Sequence, residues 1–256
     1  MLRTWLVLAV LLASAAWGQA PAYSAAGIVN APDYASGPFA PNSILSIFGS
    51  GLAWSAQGLT DDTVIDNTLP TSLAGTSVYV MNEPAPVLYV SDGQVNFLVP
   101  SDQIDGNVTV RVVREGITGP AVTVTLVDAA PALFQTAAGF AIAAHADNSL
   151  VTPGSPAQAG ETIVVYACGL GRTQPTLAPG VIPQSAAGIQ ELSNLTVYLG
   201  GTAIDPASIL YAGLSPGTAG LYQINLVLPA NPGTNPEIRV AIAGQSSPAG
   251  LKLAVQ

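Results

Sequence analysis

Four segments of this sequence recur in the same order in its two halves. NSILSIFGSGLA (Asn42 to Ala53) aligns with GETIVVYACGLG (Gly160 to Gly171), and TSVYV (Thr76 to Val80) with LTVYL (Leu195 to Leu199). QVNFLVP (Gln94 to Pro100) aligns with QINLVLP (Gln223 to Pro229), and Val108 to Pro120 with Ile238 to Pro248. Segments that return in order mark two tandem copies of one unit. The copies are placed at residues 24–128 and 134–256, with the Ala/Pro-rich stretch at 129–133 as the linker.

Period two runs through both copies. Val108, Val110 and Val112 alternate with Thr109 and Arg111, and Val122, Val124 and Leu126 with Thr123 and Thr125. Leu195, Val197 and Leu199 alternate with Thr196 and Tyr198, and Ile238, Val240 and Ile242 flank Arg239 and Ala241. Such segments, separated by some of the 26 Gly and 21 Pro, read as half-buried antiparallel strands. No helical period persists beyond about three turns. The expected class is all-β: two tandem antiparallel β-sandwiches, each large enough to build a core without disulfides.

Charge narrows the function. Six Lys and Arg against fifteen Asp and Glu give a net charge of −9, which repels polyanions and argues against a nucleic-acid partner. The start, MLRTWLVLAVLLASAAWG, places Arg3 before a short apolar run that ends in small residues, the pattern of a signal peptide over residues 1–18. The run is too short to span a bilayer, and the sole cysteine, Cys168, is not at the cleavage site where a lipoprotein would need it. The expected product is secreted or associated with the cell envelope, with no membrane span.

The repeated segments carry a family resemblance. Together with IVNAPDY (Ile28 to Tyr34), LPTSLAGTSVYV (Leu69 to Val80) and GLSPGTAGLYQINLVLP (Gly213 to Pro229), they resemble the Solibacter-type C-terminal domain family of acidobacterial exported proteins. That family is immunoglobulin-like and similar to IPT/TIG domains. The resemblance implies architecture and export; it brings no activity, cofactor or catalytic residue.

Candidate site residues are few. Trp54 is the one tryptophan beyond the leader, and it is read first as a loop anchor on the core and second as a stacking platform for a sugar. Asp61, Asp62 and Asp66 form the one local acidic cluster, a solvated loop or a weak calcium site whose spacing lacks the EF-hand pattern. The loops Trp54 to Thr68 and Arg172 to Ser193 are the preferred seats of specificity. Cys168 aligns with Ser50 and is read as a small buried filler. His145 lies in a strand–turn–strand segment, with Asp147 or Asp205 as its possible orienting acid, and no G-x-S-x-G accompanies it. One His and one Cys are too few for a zinc site. The amides Gln94 and Asn96, like Gln223 and Asn225, share a strand face and are expected to bond the preceding loop.

The sequence therefore points to a non-catalytic module that contacts a protein or the cell surface, without a cofactor. A glycan-binding module is the alternative, and a hydrolase is disfavoured for want of a catalytic constellation.

Overall fold

The computed structural model describes residues 19–256; the leader expected at residues 1–18 lies outside them. The first ten strands are β1 (Ala22–Asn30), β2 (Ile44–Ser50), β3 (Gln57–Gly58), β4 (Thr76–Val80) and β5 (Glu83–Ala85), then β6 (Val87–Val90), β7 (Gln94–Leu98), β8 (Gly106–Arg114), β9 (Ile117–Thr118) and β10 (Val122–Leu126). They build two sheets, β1-β2-β7-β6-β3 and β10-β8-β4-β5, with β9 hairpinned onto β8. Eleven strands follow: β11 (Ala132–Leu133), β12 (Ala143–Ala144), β13 (Thr162–Cys168), β14 (Thr173–Gln174), β15 (Ala187–Ile189) and β16 (Thr196–Leu199). The rest are β17 (Thr202–Ala203), β18 (Ile209–Leu214), β19 (Tyr222–Val227), β20 (Ile238–Ile242) and β21 (Gln245–Ser246). Their sheets run β11-β13-β19-β18-β15-β14, with β12 on β13, and β17-β16-β20-β21. The order β2-β7-β6 thus has its counterpart in β13-β19-β18, and β5-β4-β8 in β17-β16-β20.

The protein is all-β, two antiparallel sandwiches in tandem, and period two sets which residues face inward. Val108, Val110 and Val112 are buried from β8 against Leu45, Ile47, Val95 and Phe97 of the facing sheet. In the second sandwich Val197, Val240 and Ile242 meet Ile163, Val165, Ile224 and Leu226. The intervening Thr109, Arg111, Tyr198 and Arg239 point outward and are half-buried.

The stretch at 129–133 is no free tether. Ala129, Ala130, Ala132 and Leu133 are buried, and β11 pairs with the end of β13 through Ala132↔Cys168 and Leu133↔Ala167. Close approach explains the glycine opposite it: a Cβ on Gly169 (φ 70°) would lie 2.2 Å from the Ala130 carbonyl oxygen.

Candidate functional site

After β2 the chain turns at Gly51 (φ 64°), buries Leu52 and Ala53, and re-emerges at Trp54. The indole is not anchored on the core, contrary to the first reading: Trp54 is 56% exposed. Its support is Arg114, whose guanidinium carbon lies 3.6 Å from the indole ring centroid. Arg114 closes the inward row Val108, Val110, Val112 and is only 1% exposed. It donates hydrogen bonds to the carbonyls of Gly51 and Gln19, and among the described residues it has no carboxylate in ion-pair range. Its charge is met by two carbonyl dipoles and a π face, a cation–π contact worth about 0.5–2 kcal/mol. Glu115, in the β8–β9 turn with φ 47°, accepts the indole N–H at 3.0 Å. One ring face is therefore covered and the ring edge is pinned. The period-two row held the signal for Arg114, because position 114 has the parity of the buried valines.

The acidic cluster belongs to a different neighbourhood. β3 pairs with β6 between Trp54 and the aspartates. Beyond it, Asp66 and Asn67 (φ 50° and 55°) make a tight turn closed by the Ile65–Thr68 bridge. Asp61, Asp62 and Asp66 are exposed, and no three His, Cys, Asp or Glu side chains among the described residues converge to hold a metal ion. The base of this hairpin is bonded to the second sandwich. Thr68 bridges Val181, Ile182 N–H donates to the Asn67 carbonyl at 2.7 Å, and Leu69 N–H donates to the Gly180 carbonyl at 2.9 Å. The two loops preferred as seats of specificity thus grip one another, which spends part of both on joining the sandwiches.

That junction continues inward. Ile44, Leu69 and Leu98 of the first sandwich pack with Cys168 and Ala219 of the second. The Ile44 N–H donates to Cys168 Sγ at 3.0 Å, and Asn42 Nδ2 donates to the hydroxyl of the buried Tyr222 at 3.1 Å. Desolvation raises the Cys168 thiol to about 11, against the pull of the Ile44 N–H, so the thiolate is suppressed at neutral pH. Ser50, its sequence counterpart, is exposed. The turn is shared, but only the second copy has a sandwich docked over it. At the rim, Arg172 reaches Asp128 at 3.0 Å, the Gln103 carbonyl at 3.0 Å and Asp105 at 3.7 Å. Burial first, and then the neighbouring Asp128 carboxylate, raise the Asp105 pKa.

His145 sits before a hairpin turn in which Asp147 accepts from Ser149, not from the imidazole. Its partner is Glu161, through Nδ1, while Nε2 lies 3.1 Å from the Ser155 carbonyl and 3.4 Å from Ser155 Oγ. The outline resembles a Ser-His-Glu triad, but the chemistry differs. A carboxylate and a carbonyl both accept, so both ring nitrogens act as donors and the ring is held as the imidazolium. Its pKa is raised, chiefly by the Glu161 hydrogen bond. An imidazolium whose protons are both engaged is no general base for Ser155.

The Gln-x-Asn pairs behave alike but bond each other, not the preceding loop. Gln94 Nε2 donates to Asn96 Oδ1 at 2.8 Å and Gln223 Nε2 to Asn225 Oδ1 at 3.0 Å.

A family match agrees with the sandwich architecture of the first half. Residues 32–126, within the first sandwich, match the IPT/TIG domain, an immunoglobulin-like sandwich. No curated protein matches the chain. Among solved structures it is similar to the surface glycan-binding protein PbSGBP-B from Prevotella bryantii, at 12% identity and a TM-score of 0.28 over 92% of this chain and 42% of that one. It is also similar to the Escherichia coli adhesin FdeC, at 15% identity and a TM-score of 0.24 over 93% of this chain and 66% of that one. Domains 5-6 of the S-layer protein SbsC give 11% identity and a TM-score of 0.28 over 92% of this chain and 99% of that one. The chain spans about half or less of the glycan-binding proteins it matches first. No helix among the described residues is long and apolar enough to cross a membrane.

Proposed function

We propose that this protein is an exported, non-catalytic immunoglobulin-like interaction module, contacting a protein or the cell surface through Trp54. One observation carries this reading: a large aromatic ring stands 56% exposed on a rigid mount. Exposed tryptophans loosely held in a loop lose rotamer freedom on binding, whereas stacking on Arg114 and the bond to Glu115 have already ordered this one. Tryptophan is also the residue type most enriched among interface positions whose truncation costs most.

A second reading, glycan binding at the same ring, is favoured by the guanidinium beneath it. A cation behind the indole disfavours a second cation in front, so cationic ligands are poor candidates, while the flat face suits the C–H face of a sugar. The test compares the parent and Trp54→Ala for binding to cell-envelope fractions and to an unbiased glycan array. Loss of envelope binding with a blank array supports a protein contact, and loss of a discrete array signal supports a glycan. Equal binding by both proteins overturns the role of Trp54.

A further inference from the structure

Tyrosine and arginine face each other across strands at matching places in the two sandwiches: Tyr79↔Arg111 between β4 and β8, and Tyr198↔Arg239 between β16 and β20. Among the described residues neither arginine has a carboxylate in ion-pair range, in a chain with fifteen acids. In the first sandwich the pair is closed on itself, the Arg111 guanidinium lying 5.6 Å from the Tyr79 ring centroid. The second pair is open. Tyr198, Gly201, Glu237, Arg239 and Ser246 line a concave site of about 330 Å³.

We propose that this concavity binds one pyranose unit of a neutral glycan, independently of Trp54. The polar groups around it are positioned yet have capacity to spare. Arg239 is held by Nε and Nη2 bonds to the Ser247 carbonyl, at 3.3 and 3.2 Å, which leaves Nη1 without a partner among the described residues. Glu237 is held by Oε1, which accepts the Gly250 N–H at 3.0 Å, leaving Oε2 without a partner among the described residues. An arginine only donates and a carboxylate only accepts, whereas each sugar hydroxyl does both, so adjacent hydroxyls complement an Arg–Glu pair. Tyr198 adds an apolar ring beside them, the usual mix of one flat surface and a few convergent polar groups. Glu237 beside Arg239 and a net charge of −9 disfavour anionic ligands. The hollow is also lined by only five residues, against about 20–30 a side in a specific protein interface. Position 109, which stands to Arg111 as 237 stands to Arg239, is Thr109, so the first sandwich lacks the carboxylate there and serves as an internal control.

The test is NMR titration of the ¹⁵N-labelled protein with neutral hexasaccharides of glucose, mannose, galactose and xylose, and with a uronic-acid hexasaccharide. At least one neutral sugar is expected to shift the Gly201, Arg239 and Ser246 amides saturably. Glu237→Gln should weaken that binding tenfold or more, and Arg111→Gln should leave it unchanged. If Glu237→Gln loses native amide dispersion, Ser246→Ala replaces it, with a several-fold loss expected. Absence of shifts with every neutral sugar, shifts with the uronic acid alone, or undiminished binding by the folded variant overturns the proposal. Shifts confined to the Trp54 indole N–H overturn it while supporting glycan binding at Trp54, and the reverse pattern supports it while overturning the glycan reading of Trp54.

Discussion

The Arg114 guanidinium carbon lies 3.6 Å from the centre of the Trp54 indole, so a buried cation forms the back of an exposed ring. The arginine matters for folding and the tryptophan for contact. Arg114→Ala leaves the Gly51 and Gln19 carbonyls without their donor and removes a filled inward position, a loss of about 1–3 kcal/mol. Trp54→Ala removes a half-exposed ring and should cost about 1 kcal/mol or less. Urea unfolding of both variants checks the ranking, and a larger loss for Trp54→Ala would overturn it.

Calcium should leave the protein unaffected. The three aspartates at 61, 62 and 66 do not converge, no three potential ligand side chains among the described residues do so, and calcium needs six or more oxygens to be held well. The melting temperature with millimolar calcium is expected to match that with chelator. A saturable rise that Asp61→Asn removes would establish the calcium site after all.

Cys168 and Ser50 offer a matched pair. A bulky maleimide should leave native Cys168 unlabelled over the time in which a Cys168→Ser, Ser50→Cys variant reacts fully, because one position is buried under the other sandwich and one is exposed. Cys168→Ser itself should cost about 1 kcal/mol, since the hydroxyl still accepts from the Ile44 N–H. Equal labelling of the two thiols would show that the sandwiches separate readily.

These contrasts show what the sequence made legible. Alternation disclosed the inward valines of β8 and the inward Ile238, Val240 and Ile242 of β20 because the strand period is a local property. The turn shared by Ser50 and Cys168 was legible for the same reason. What packs over a turn is decided by chain distant in sequence, so alignment alone equated an exposed serine with a buried cysteine. Trp54 illustrates the same limit: its partners, Arg114 and Glu115, lie sixty residues away, while the aspartates that follow it in the loop serve another contact. Glu161 as the partner of His145 was likewise hidden behind the nearer Asp147.

His145 gives a pH dependence with a definite sign. Its folded pKa is raised above the ordinary value of about 6.5, so its bond to Glu161 contributes fully below that pH and fades as pH rises through the folded value. Unfolding free energy should therefore decline across that window, and Glu161→Gln should flatten the decline. Titration of the His145 ring protons by NMR checks the cause; a ring pKa at or below 6.5 would exclude it.

The junction between the sandwiches makes the last prediction. Gly220 adopts φ 74°, and a Cβ there would lie 2.3 Å from Leu98 Cδ1 and 2.9 Å from Ile44 Cγ1, across the interface. Gly220→Ala therefore adds both left-handed strain and overpacking, each worth about 1–3 kcal/mol, in a place that touches neither hydrophobic core. The parent should unfold in one cooperative transition, because Ile44, Leu98, Cys168 and Ala219 form a cluster that neither sandwich completes alone. In the variant the relief lies in parting the sandwiches, so calorimetry should resolve two transitions, and Cys168 should become accessible to maleimide before either core melts. A single transition that moves down as a whole, with Cys168 still protected, would mean that the strain is absorbed inside the second sandwich and that the junction is stronger than either core.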